Sequence, residues 1–252
     1  MILDIEKLSV KYKGAAEEAV KELSLSLPEN SFSALIGESG SGKSTVLMTL
    51  LGLLPNGSEA RGEILYRGEK ILNSGEEKLS GLRQREIALI PQGALNSFTP
   101  VMTIGRHLRE LLEIHLNISG AEAEKRIKEL LAEAELPPET AGRYPHELSG
   151  GQKQRAAIAL ALSCDPKLVL ADEPTTALDV VTQAAVIRLM QRLRREKNLT
   201  ILLVTHDLPL AASACDQLFV MKNGRLIESG APKTLITSPR EPHTKALIAA
   251  ML

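Results

Sequence analysis

The chain has 252 residues, and 30 lysines and arginines against 31 aspartates and glutamates leave a formal net charge of −1. Apolar residues make up 44% of the sequence but aromatic residues only 2%, a composition typical of a globular protein with a largely aliphatic core. The balanced charge argues against a protein held on DNA by bulk electrostatics, and the few aromatic residues argue against a base-stacking surface for single strands.

The cysteines and the apolar runs bear on the compartment. Cys164 and Cys215 lack the spacing of a metal site, and two buried thiols are favoured over one disulfide. The N-terminus has no apolar region of a signal peptide, and no apolar run approaches the roughly 20 residues of a spanning helix. We therefore expect a soluble, cytoplasmic chain that would serve a membrane only by docking on another protein.

The N-terminal part is predicted to be rich in strands. Alternating apolar and polar residues predict the first two strands, and a short apolar run predicts a third. In chain order, the predicted elements are three strands, a helix and a hairpin, at 2–10, 23–27, 32–36, 43–54 and 62–72.

The middle of the chain is predicted to be mainly helical. A brief strand at 87–92 precedes a loop rich in Asn, Ser and Pro, and amphipathic patterns then predict helices at 103–116 and 121–136. The prolines at 137–138 end the second of these helices.

The C-terminal part again alternates helices and strands. Its predicted elements are a helix, a buried strand, a helix, a buried strand and a hairpin, at 149–164, 167–171, 178–197, 200–204 and 218–228. Near-continuous apolar strands favour a parallel sheet covered on both faces, so the fold class is α/β.

Residues 37–44 match the phosphate-binding pattern G-x-x-x-x-G-K-[ST], with a predicted strand before it and a predicted helix after it. Its glycines let the backbone N–H groups turn towards phosphate oxygens, and the helix N-terminus adds positive potential. Lys43 supplies a charge for the β- and γ-phosphates, and Ser44 offers a hydroxyl to Mg²⁺. The alternative is a glycine-rich turn with an incidental lysine, which the flanking elements disfavour.

A second acidic element follows the apolar strand at 168–171. Asp172 stands at the end of the strand and can hold Mg²⁺ directly or through water, while Glu173 could polarise an attacking water. The alternative is an acidic pair that caps a helix before Pro174.

The sequence Leu-Ser-Gly-Gly-Gln at 148–152 begins a predicted helix, where Ser149 is a good N-cap. With the phosphate loop and the acidic strand end, it resembles the ABC-type ATPase family over essentially the whole chain. The resemblance implies a P-loop NTPase (RecA-like) parallel-sheet core with an N-terminal antiparallel β-subdomain and an inserted α-helical subdomain. Tyr12, Gln92, Asp179 and His206 stand where the family has an adenine-stacking aromatic residue, the Q-loop, the D-loop and the switch histidine.

The resemblance also implies domain boundaries. It predicts one nucleotide-binding domain over 1–252, with the catalytic core and β-subdomain in 1–92 and 155–230, the helical subdomain in 93–154 and a C-terminal tail in 231–252.

Members of this family bind two ATP molecules between two head-to-tail domains, so the resemblance implies ATP and Mg²⁺ as cofactors. The implied catalytic residues are Lys43, Gln92, Glu173 and His206. The implied ATP-binding residues are Tyr12, Gly37, Glu38, Ser39, Gly40, Ser41, Gly42, Lys43, Ser44 and Thr45. The residues implied to reach the ATP of a partner subunit are Ser149, Gly150, Gly151, Gln152 and Asp179. The implied Mg²⁺ residues are Ser44, Gln92 and Asp172.

Simpler interpretations stay open for some of these residues. Tyr12 could be a plain strand residue, His206 an ordinary histidine, and Asp179 a helix cap, a role compatible with a partner contact. The remaining histidines are expected to be surface residues or to make local hydrogen bonds: His107, His115, His146 and His243.

Three segments resemble the importers of peptides and nickel within this family: 96–105, 143–147 and 238–247. Phe98-Thr99 and Gly93-Ala94 depart from the usual pattern, and the absence of a Cys-rich extension resembles the short form of nickel and metallophore importers. The resemblance therefore implies an ATP-hydrolysing subunit that powers import of peptides, nickel or metal chelates by ATP-driven dimer closure.

The implied partners are a second ATPase subunit, identical or related, transmembrane permease subunits and, indirectly, a solute-binding protein, with no nucleic acid. The implied location is the cytoplasmic face of the inner membrane, and the groove for the permease is expected near Leu95, Phe98 and Met102. These three side chains could instead fill the core of the helical block. The competing hypotheses are an ABC-type ATPase that acts on DNA and a small-molecule P-loop kinase.

Overall fold

A computed structural model describes residues 1–93 and 98–249 of the chain. The chain divides into two units, one formed by Met1–Leu82 with Thr200–Leu252 and the other by Arg83–Leu199. The predicted boundaries of the helical subdomain, residues 93–154, stay a prediction.

The strands in chain order are β1 Leu3–Lys11, β2 Val20–Leu27, β3 Phe32–Ile36, β4 Glu59–Tyr66, β5 Glu69–Lys70, β6 Ile87–Ile90, β7 Leu168–Asp172, β8 Thr200–Thr205, β9 Gln217–Lys222 and β10 Arg225–Gly230. The helices are α1 Lys43–Leu50, α2 Glu76–Leu82, α3 Ile104–Leu116, α4 Gly120–Glu133, α5 Gly150–Ala161, α6 Val180–Lys197, α7 Leu208–Ala214, α8 Pro232–Thr237 and α9 Pro242–Ala249. Short 3-10 turns lie at Pro138–Gly142 and Pro145–Glu147.

The first unit contains an antiparallel sheet in the order β2-β1-β4-β5. Leu3 of β1 pairs with Leu27 on one side and with Tyr66 on the other, and all three side chains are buried. Alternation of buried and more exposed residues along β1 and β2 matches the predicted pattern, because one face of each strand packs inward. The predicted antiparallel β-subdomain is confirmed.

The first unit also contains parallel strands. β3 pairs in parallel with β8, from Phe32 with Ile201 to Ile36 with Thr205, and in parallel with β9 on its other side. Every residue of β3 and β8 is buried, as expected for strands covered on both faces. β9 continues into β10 as the predicted antiparallel hairpin. The carboxyl ends of β3 and β8 therefore lie side by side, and ligands of α/β sheets bind at the carboxyl ends of the strands.

The second unit combines a parallel strand pair with helices. β6 pairs with β7, from Ile87 with Leu168 to Ile90 with Ala171. α3, α4 and α5 surround an aliphatic core, of which the largest members are Phe98, Ile104, Leu108, Leu112, Ile127, Leu130, Leu131, Leu136 and Leu148. The predicted α/β class with a helical block is confirmed.

Two further expectations concern thiols and membranes. Cys164 and Cys215 are both buried thiols outside any disulfide, which agrees with the two-thiol prediction. Within residues 1–93 and 98–249, no helix has both the length and the apolarity needed to cross a bilayer.

Candidate functional site

The lysine of the phosphate loop at 37–44 is hydrogen-bonded to the backbone of the same loop. Lys43 is only 5% exposed, and its Nζ donates to the carbonyl oxygens of Gly37 at 2.7 Å and Glu38 at 2.8 Å. The Ser41 hydroxyl lies 3.4 Å from the same Nζ. A buried ammonium group without hydrogen-bond acceptors is energetically costly. The two carbonyls supply such acceptors to Lys43, and phosphate oxygens are acceptors of the same kind.

The glycines of the loop lie where a side chain would not fit. A Cβ at Gly37 would stand 2.4 Å from the carbonyl oxygen of Met221, and one at Gly42 would stand 2.4 Å from that of Ala19. Gly42 also has a φ of 101°, which disfavours any residue with a Cβ. It is the N-cap of α1 and has no side-chain cap, so the first N–H groups of α1 can receive an anion.

Tyr12 lies beside this loop. Its hydroxyl is 2.9 Å from Thr45 Oγ1 at the start of α1, and its ring lines an open cavity of about 420 Å³ together with Lys13, Gly57 and Arg61. The half-buried side chain of Tyr12 is therefore tethered at its hydroxyl and borders a space large enough for an adenine base. The role of Tyr12 in stacking stays a prediction.

The switch candidate His206 follows β8 as the loop follows β3. Ile36 pairs with Thr205, so the residues that come next, Gly37 and His206, leave the sheet side by side. His206 is exposed, and the following Asp207 caps α7 by accepting the N–H of Leu210 at 2.8 Å. The exposed imidazole thus stands at the edge of the sheet that carries the phosphate loop.

The acidic pair and the Q-loop candidate meet in the second unit. Ile90 pairs with Ala171, and Gln92 and Glu173 each lie two residues beyond the paired ends. Glu173 Oε2 accepts from Thr176 Oγ1 at 2.9 Å and lies 3.4 Å from Gln92 Nε2. Glu173 has a φ of 45°, a backbone conformation that non-glycine residues adopt at a cost and that sequence reasoning did not foresee.

The donors predicted for Mg²⁺ are of the right chemical kind. Ser44 is an exposed hydroxyl in the first turn of α1, and Asp172 is the last residue of β7. Hydroxyl, carboxylate and amide oxygens are ligands that Mg²⁺ accepts while it keeps several waters. Each of these residues therefore offers an oxygen donor of a kind that a magnesium ion accepts.

The signature helix α5 begins with a reciprocal cap. Ser149 Oγ accepts the N–H of Gln152 at 3.3 Å, while Gln152 Oε1 accepts the N–H of Ser149 at 3.0 Å. This capping box confirms the predicted N-cap. Ser149 is exposed, so its hydroxyl and the N–H groups of Gly150 and Gly151 stand at an accessible helix start.

Asp179 caps the next helix, α6, and is exposed. Its Oδ1 accepts the N–H of Thr182 at 3.0 Å, and its Oδ2 accepts the hydroxyl of Thr182 at 2.6 Å. These bonds, the hydroxyl's first, lower the pKa of Asp179. The helix-cap interpretation of Asp179 is confirmed, whereas a contact with a partner stays a prediction. Sequence reasoning missed Thr182, although a polar residue three positions after an Asp cap is a recognisable signal.

The remaining histidines differ from one another. His107 makes the expected local bonds, because its Nε2 accepts the N–H of Thr99 at 3.0 Å and its Nδ1 lies 2.9 Å from the Thr103 carbonyl. His146 is exposed and stacks on Tyr144. His115 is half-buried, and burial, followed by the nearby Arg85, lowers its pKa. His243 is not a surface residue: it is 9% exposed, and its Nδ1 lies 3.9 Å from Glu38 Oε1.

The predicted permease groove is described in part. Phe98 is 8% exposed and belongs to the helical core, so it fills the block rather than projecting from it. It also lines a cavity of about 170 Å³ with His107 and Leu111, which we call the Phe98 cavity. Met102 is half-buried, and Leu95 lies outside the described residues.

Comparison with known proteins gives a consistent set of relatives. The sequence model of a family described as ABC transporter matches residues 20–176. The chain is 41% identical to the peptidoglycan transport ATP-binding protein YejF of Agrobacterium fabrum, over 99% of this chain and 47% of that protein. It therefore spans about half the length of that relative. It is 38% identical to the oligopeptide transport ATP-binding protein OppD of Haemophilus influenzae, over 99% of this chain and 79% of OppD. It is 40% identical to the probable D,D-dipeptide transport ATP-binding protein DdpD of Escherichia coli, over 98% of this chain and 77% of DdpD.

Solved structures with the same fold are also cassettes. A dimeric post-hydrolysis state of the ATP-binding cassette MJ0796 bound to ADP and Pi aligns with a TM-score of 0.80 and 32% identity, over 91% of this chain and 98% of that one. CbiO1 from Clostridium perfringens, part of the ABC transporter complex cbiONQ, aligns with a TM-score of 0.81 and 28% identity, over 94% of this chain and 91% of that one.

Proposed function

The chain belongs to the ABC transporter family, and we propose that it is the ATP-hydrolysing subunit of an importer, driven by ATP-dependent closure of two such subunits. The observation that carries this proposal is the buried Lys43, held inside a glycine-lined loop by two backbone carbonyls. A phosphate group can replace those carbonyls as the partner of the ammonium group, because both offer oxygen acceptors. The resemblance of the remaining motifs to those of ATP-binding cassettes supports ATP as the nucleotide.

Each residue predicted for the site has a role that its surroundings permit. The loop N–H groups and Lys43 would bind the phosphates, and the Tyr12 ring would stack on the base. Ser44, Gln92 and Asp172 would hold Mg²⁺, which when bound neutralises phosphate charge and orients the γ-phosphate. Glu173 would accept a proton from the attacking water, or orient it, while Thr176 and Gln92 hold its carboxylate. His206 would hold the γ-phosphate by a hydrogen bond.

Two subunits would be needed for a complete site. We infer that Ser149 and the N–H groups of Gly150 and Gly151 bind the γ-phosphate in the partner's phosphate loop, as anions bind at helix N-termini. Asp179 would meet the same partner. The dimeric form of the MJ0796 cassette supports this arrangement, which applies equally to two copies of this chain or to a related second subunit.

Transport is supported by the relatives rather than by the site. OppD and DdpD are named for oligopeptide and D,D-dipeptide transport, and both match nearly the whole of this chain. We therefore infer import of peptides, with nickel and metal chelates as the other cargoes that the sequence suggests. The relatives' names also favour transport over action on DNA. The chain would sit on the cytoplasmic face of the membrane, bound to permease subunits and served indirectly by a solute-binding protein.

The Phe98 cavity is our candidate for part of the permease contact. It is lined mostly by apolar side chains from β6, α3 and α5, among them Leu89, Leu111 and Leu160. A cavity of about 170 Å³ has room for one or two apolar side chains of a docked helix. Leu111→Asp should therefore weaken co-purification with the permease subunits without abolishing ATP hydrolysis by the free chain.

Hydrolysis is the direct test of the proposed activity. The purified chain should hydrolyse Mg-ATP, and Glu173→Gln should reduce the rate by about 10²–10⁴-fold, the usual contribution of a general base. Glu139→Gln, on an exposed 3-10 turn, is the matched control and should hydrolyse at the normal rate. Equal rates in both variants would refute the role of Glu173, and stimulation by DNA with salt-dependent DNA binding would favour the DNA-acting alternative.

Cargo requires the whole system. Cells lacking the gene should lose uptake of a radiolabelled oligopeptide and keep uptake of radioactive nickel, and the wild-type gene but not the Glu173→Gln form should restore the loss. Loss of nickel uptake alone would reassign the cargo and leave the ATPase proposal intact.

A further inference from the structure

Thr182 contacts both of the segments that we propose to face the partner subunit. On one side it meets Asp179, whose two carboxylate oxygens accept the N–H and the hydroxyl of this one residue at 3.0 and 2.6 Å. An Asp cap needs only one of its oxygens to accept a backbone N–H at the helix start. Here both oxygens accept from Thr182, and the two bonds together favour one orientation of the Asp179 carboxylate.

On its other side Thr182 meets the signature helix. A Cβ placed on Gly151 would lie 2.7 Å from Thr182 Cγ2, and one placed on Gly150 would lie 3.1 Å from Leu178 Cδ2. The starts of α5 and α6 therefore approach so closely that Gly151 has no room for a methyl group. The Thr182 methyl cannot easily rotate away, because its hydroxyl is bound to Asp179 and χ1 of threonine is restricted.

We propose that Thr182 is a positioning residue that joins the signature segment and Asp179 into one preorganised surface for the partner subunit. Its hydroxyl sets the Asp179 carboxylate, and its methyl sets the spacing to Gly151. This inference rests on the proposed function, in which Ser149, Gly150 and Asp179 act across the dimer. A surface that is already ordered loses less conformational entropy when two subunits close.

Two conservative variants separate the two contacts. Thr182→Val keeps the methyl group and loses the hydroxyl, whereas Thr182→Ser keeps the hydroxyl and loses the methyl. We expect Thr182→Val to lower kcat for ATP hydrolysis by about three- to tenfold, in line with the loss of a helix-cap interaction. KM for ATP should stay within about twofold, because the residues that first bind the nucleotide are those of the phosphate loop. Thr182→Ser should lose less activity than Thr182→Val.

The methyl contact is tested by a double-mutant cycle with Gly151→Ala. In the wild-type background the new Cβ meets the Thr182 methyl, whereas in the Thr182→Ser background that methyl is absent. Gly151→Ala should therefore reduce kcat by a smaller factor in the Thr182→Ser background, with a difference of at least about threefold. If Gly151→Ala reduces kcat by the same factor in both backgrounds, the proposed contact between Gly151 and the Thr182 methyl is overturned.

The state of Asp179 provides a readout that does not depend on catalysis. Its carboxyl pKa, measured by NMR, should rise towards the ordinary value in Thr182→Val and stay low in Thr182→Ser, because the hydroxyl bond is the largest cause of its lowering. The unfolding midpoint of each variant, compared with that of the wild type, shows whether a lower kcat is caused by loss of the folded state.

The outcomes are distinguishable. A wild-type chain without ATPase activity refutes the proposed function and with it the partner role of Asp179, while the pKa measurement still tests the contact itself. A wild-type chain that hydrolyses ATP, together with Thr182→Val at the wild-type kcat, overturns the inference alone.

Discussion

Alanine substitutions at three glycines of the phosphate loop separate backbone strain from steric overlap. Gly40 has a φ of 79° and nothing within 4 Å of a built Cβ, so Gly40→Ala introduces strain alone. Gly37→Ala introduces overlap alone, because its Cβ would meet the Met221 carbonyl oxygen at 2.4 Å and its φ is not positive. Gly42→Ala introduces both, since its φ is 101° and its Cβ would meet the Ala19 carbonyl oxygen at 2.4 Å.

The magnitudes follow from these two causes. A residue with a Cβ in the left-handed region costs about 1–2 kcal/mol, which is the expected loss of unfolding free energy for Gly40→Ala. Overpacking against atoms that cannot move aside costs about 1–3 kcal/mol, and a backbone carbonyl at 2.4 Å places Gly37→Ala near the upper end of that range. Gly42→Ala should approach the sum, about 3–5 kcal/mol.

Urea unfolding of the three variants and the wild type measures these differences directly. For a chain of this size each kcal/mol should also lower the thermal midpoint by roughly 2–4 °C. The decisive comparison is Gly42→Ala against Gly40→Ala, since they share the strain and differ in the overlap. Equal losses for these two variants, or a neutral Gly37→Ala, would refute the steric reasoning.

Three further results are expected. Leu108→Ala, in the fully buried core of the helical block, should lower the free energy of unfolding in urea by about 2–5 kcal/mol. Ile114→Ala on the same helix, where the side chain is 69% exposed, should lower it by less than about 0.5 kcal/mol. Equal losses would contradict the described burial. Burial raises the pKa of Cys164, so iodoacetamide should label it far more slowly in the folded than in the denatured chain, and similar rates would place the thiol in solvent. Burial alone would raise the pKa of Glu228, but hydrogen bonds, including those from the backbone N–H groups of 240–241, outweigh burial and lower the pKa. The ionised carboxylate therefore stabilises the fold fully when the pH is above its ordinary pKa of 4.5, and this stabilisation is lost as the pH falls through the lowered pKa. Glu228→Gln should therefore be less stable than the wild type at pH 7 and approach it in acid, and a gap that persists at low pH would exclude the linkage.

The elements that could be predicted are those in which one local signal and the tertiary environment agree. β3 and β8 are mostly apolar and are buried along their whole length. The 223–224 turn joins β9 to β10 as an Asn-Gly pair favours. α2 was missed because only Leu79 of its seven residues is buried, which leaves no periodic pattern to read. The helices α7 and α8, of seven and six residues, were missed because they are too short to show a helical period.

The site was predictable as motifs and less so as geometry. The phosphate loop, the Ser149 cap and the Asp179 cap each have a local pattern, and the structure has them where the patterns indicate. The fate of Phe98 depends on which helices pack over it, and the positive φ of Glu173 depends on the turn that follows β7, so neither can be read from neighbouring residues. Thr182 lies between these cases, because its bond to Asp179 is local and its contact with Gly151 is not.

The way in which the phosphate loop satisfies Lys43 has a consequence for nucleotide binding. Because the Gly37 and Glu38 carbonyls accept hydrogen bonds from the Lys43 ammonium group, nucleotide binding would exchange one set of oxygen acceptors for another. The affinity for ATP would then reflect the difference between these two sets of bonds, and replacement of Lys43 would remove the contribution of both sets. The buried charge of Lys43 is satisfied by the loop itself, so the fold does not depend on a bound anion to satisfy it.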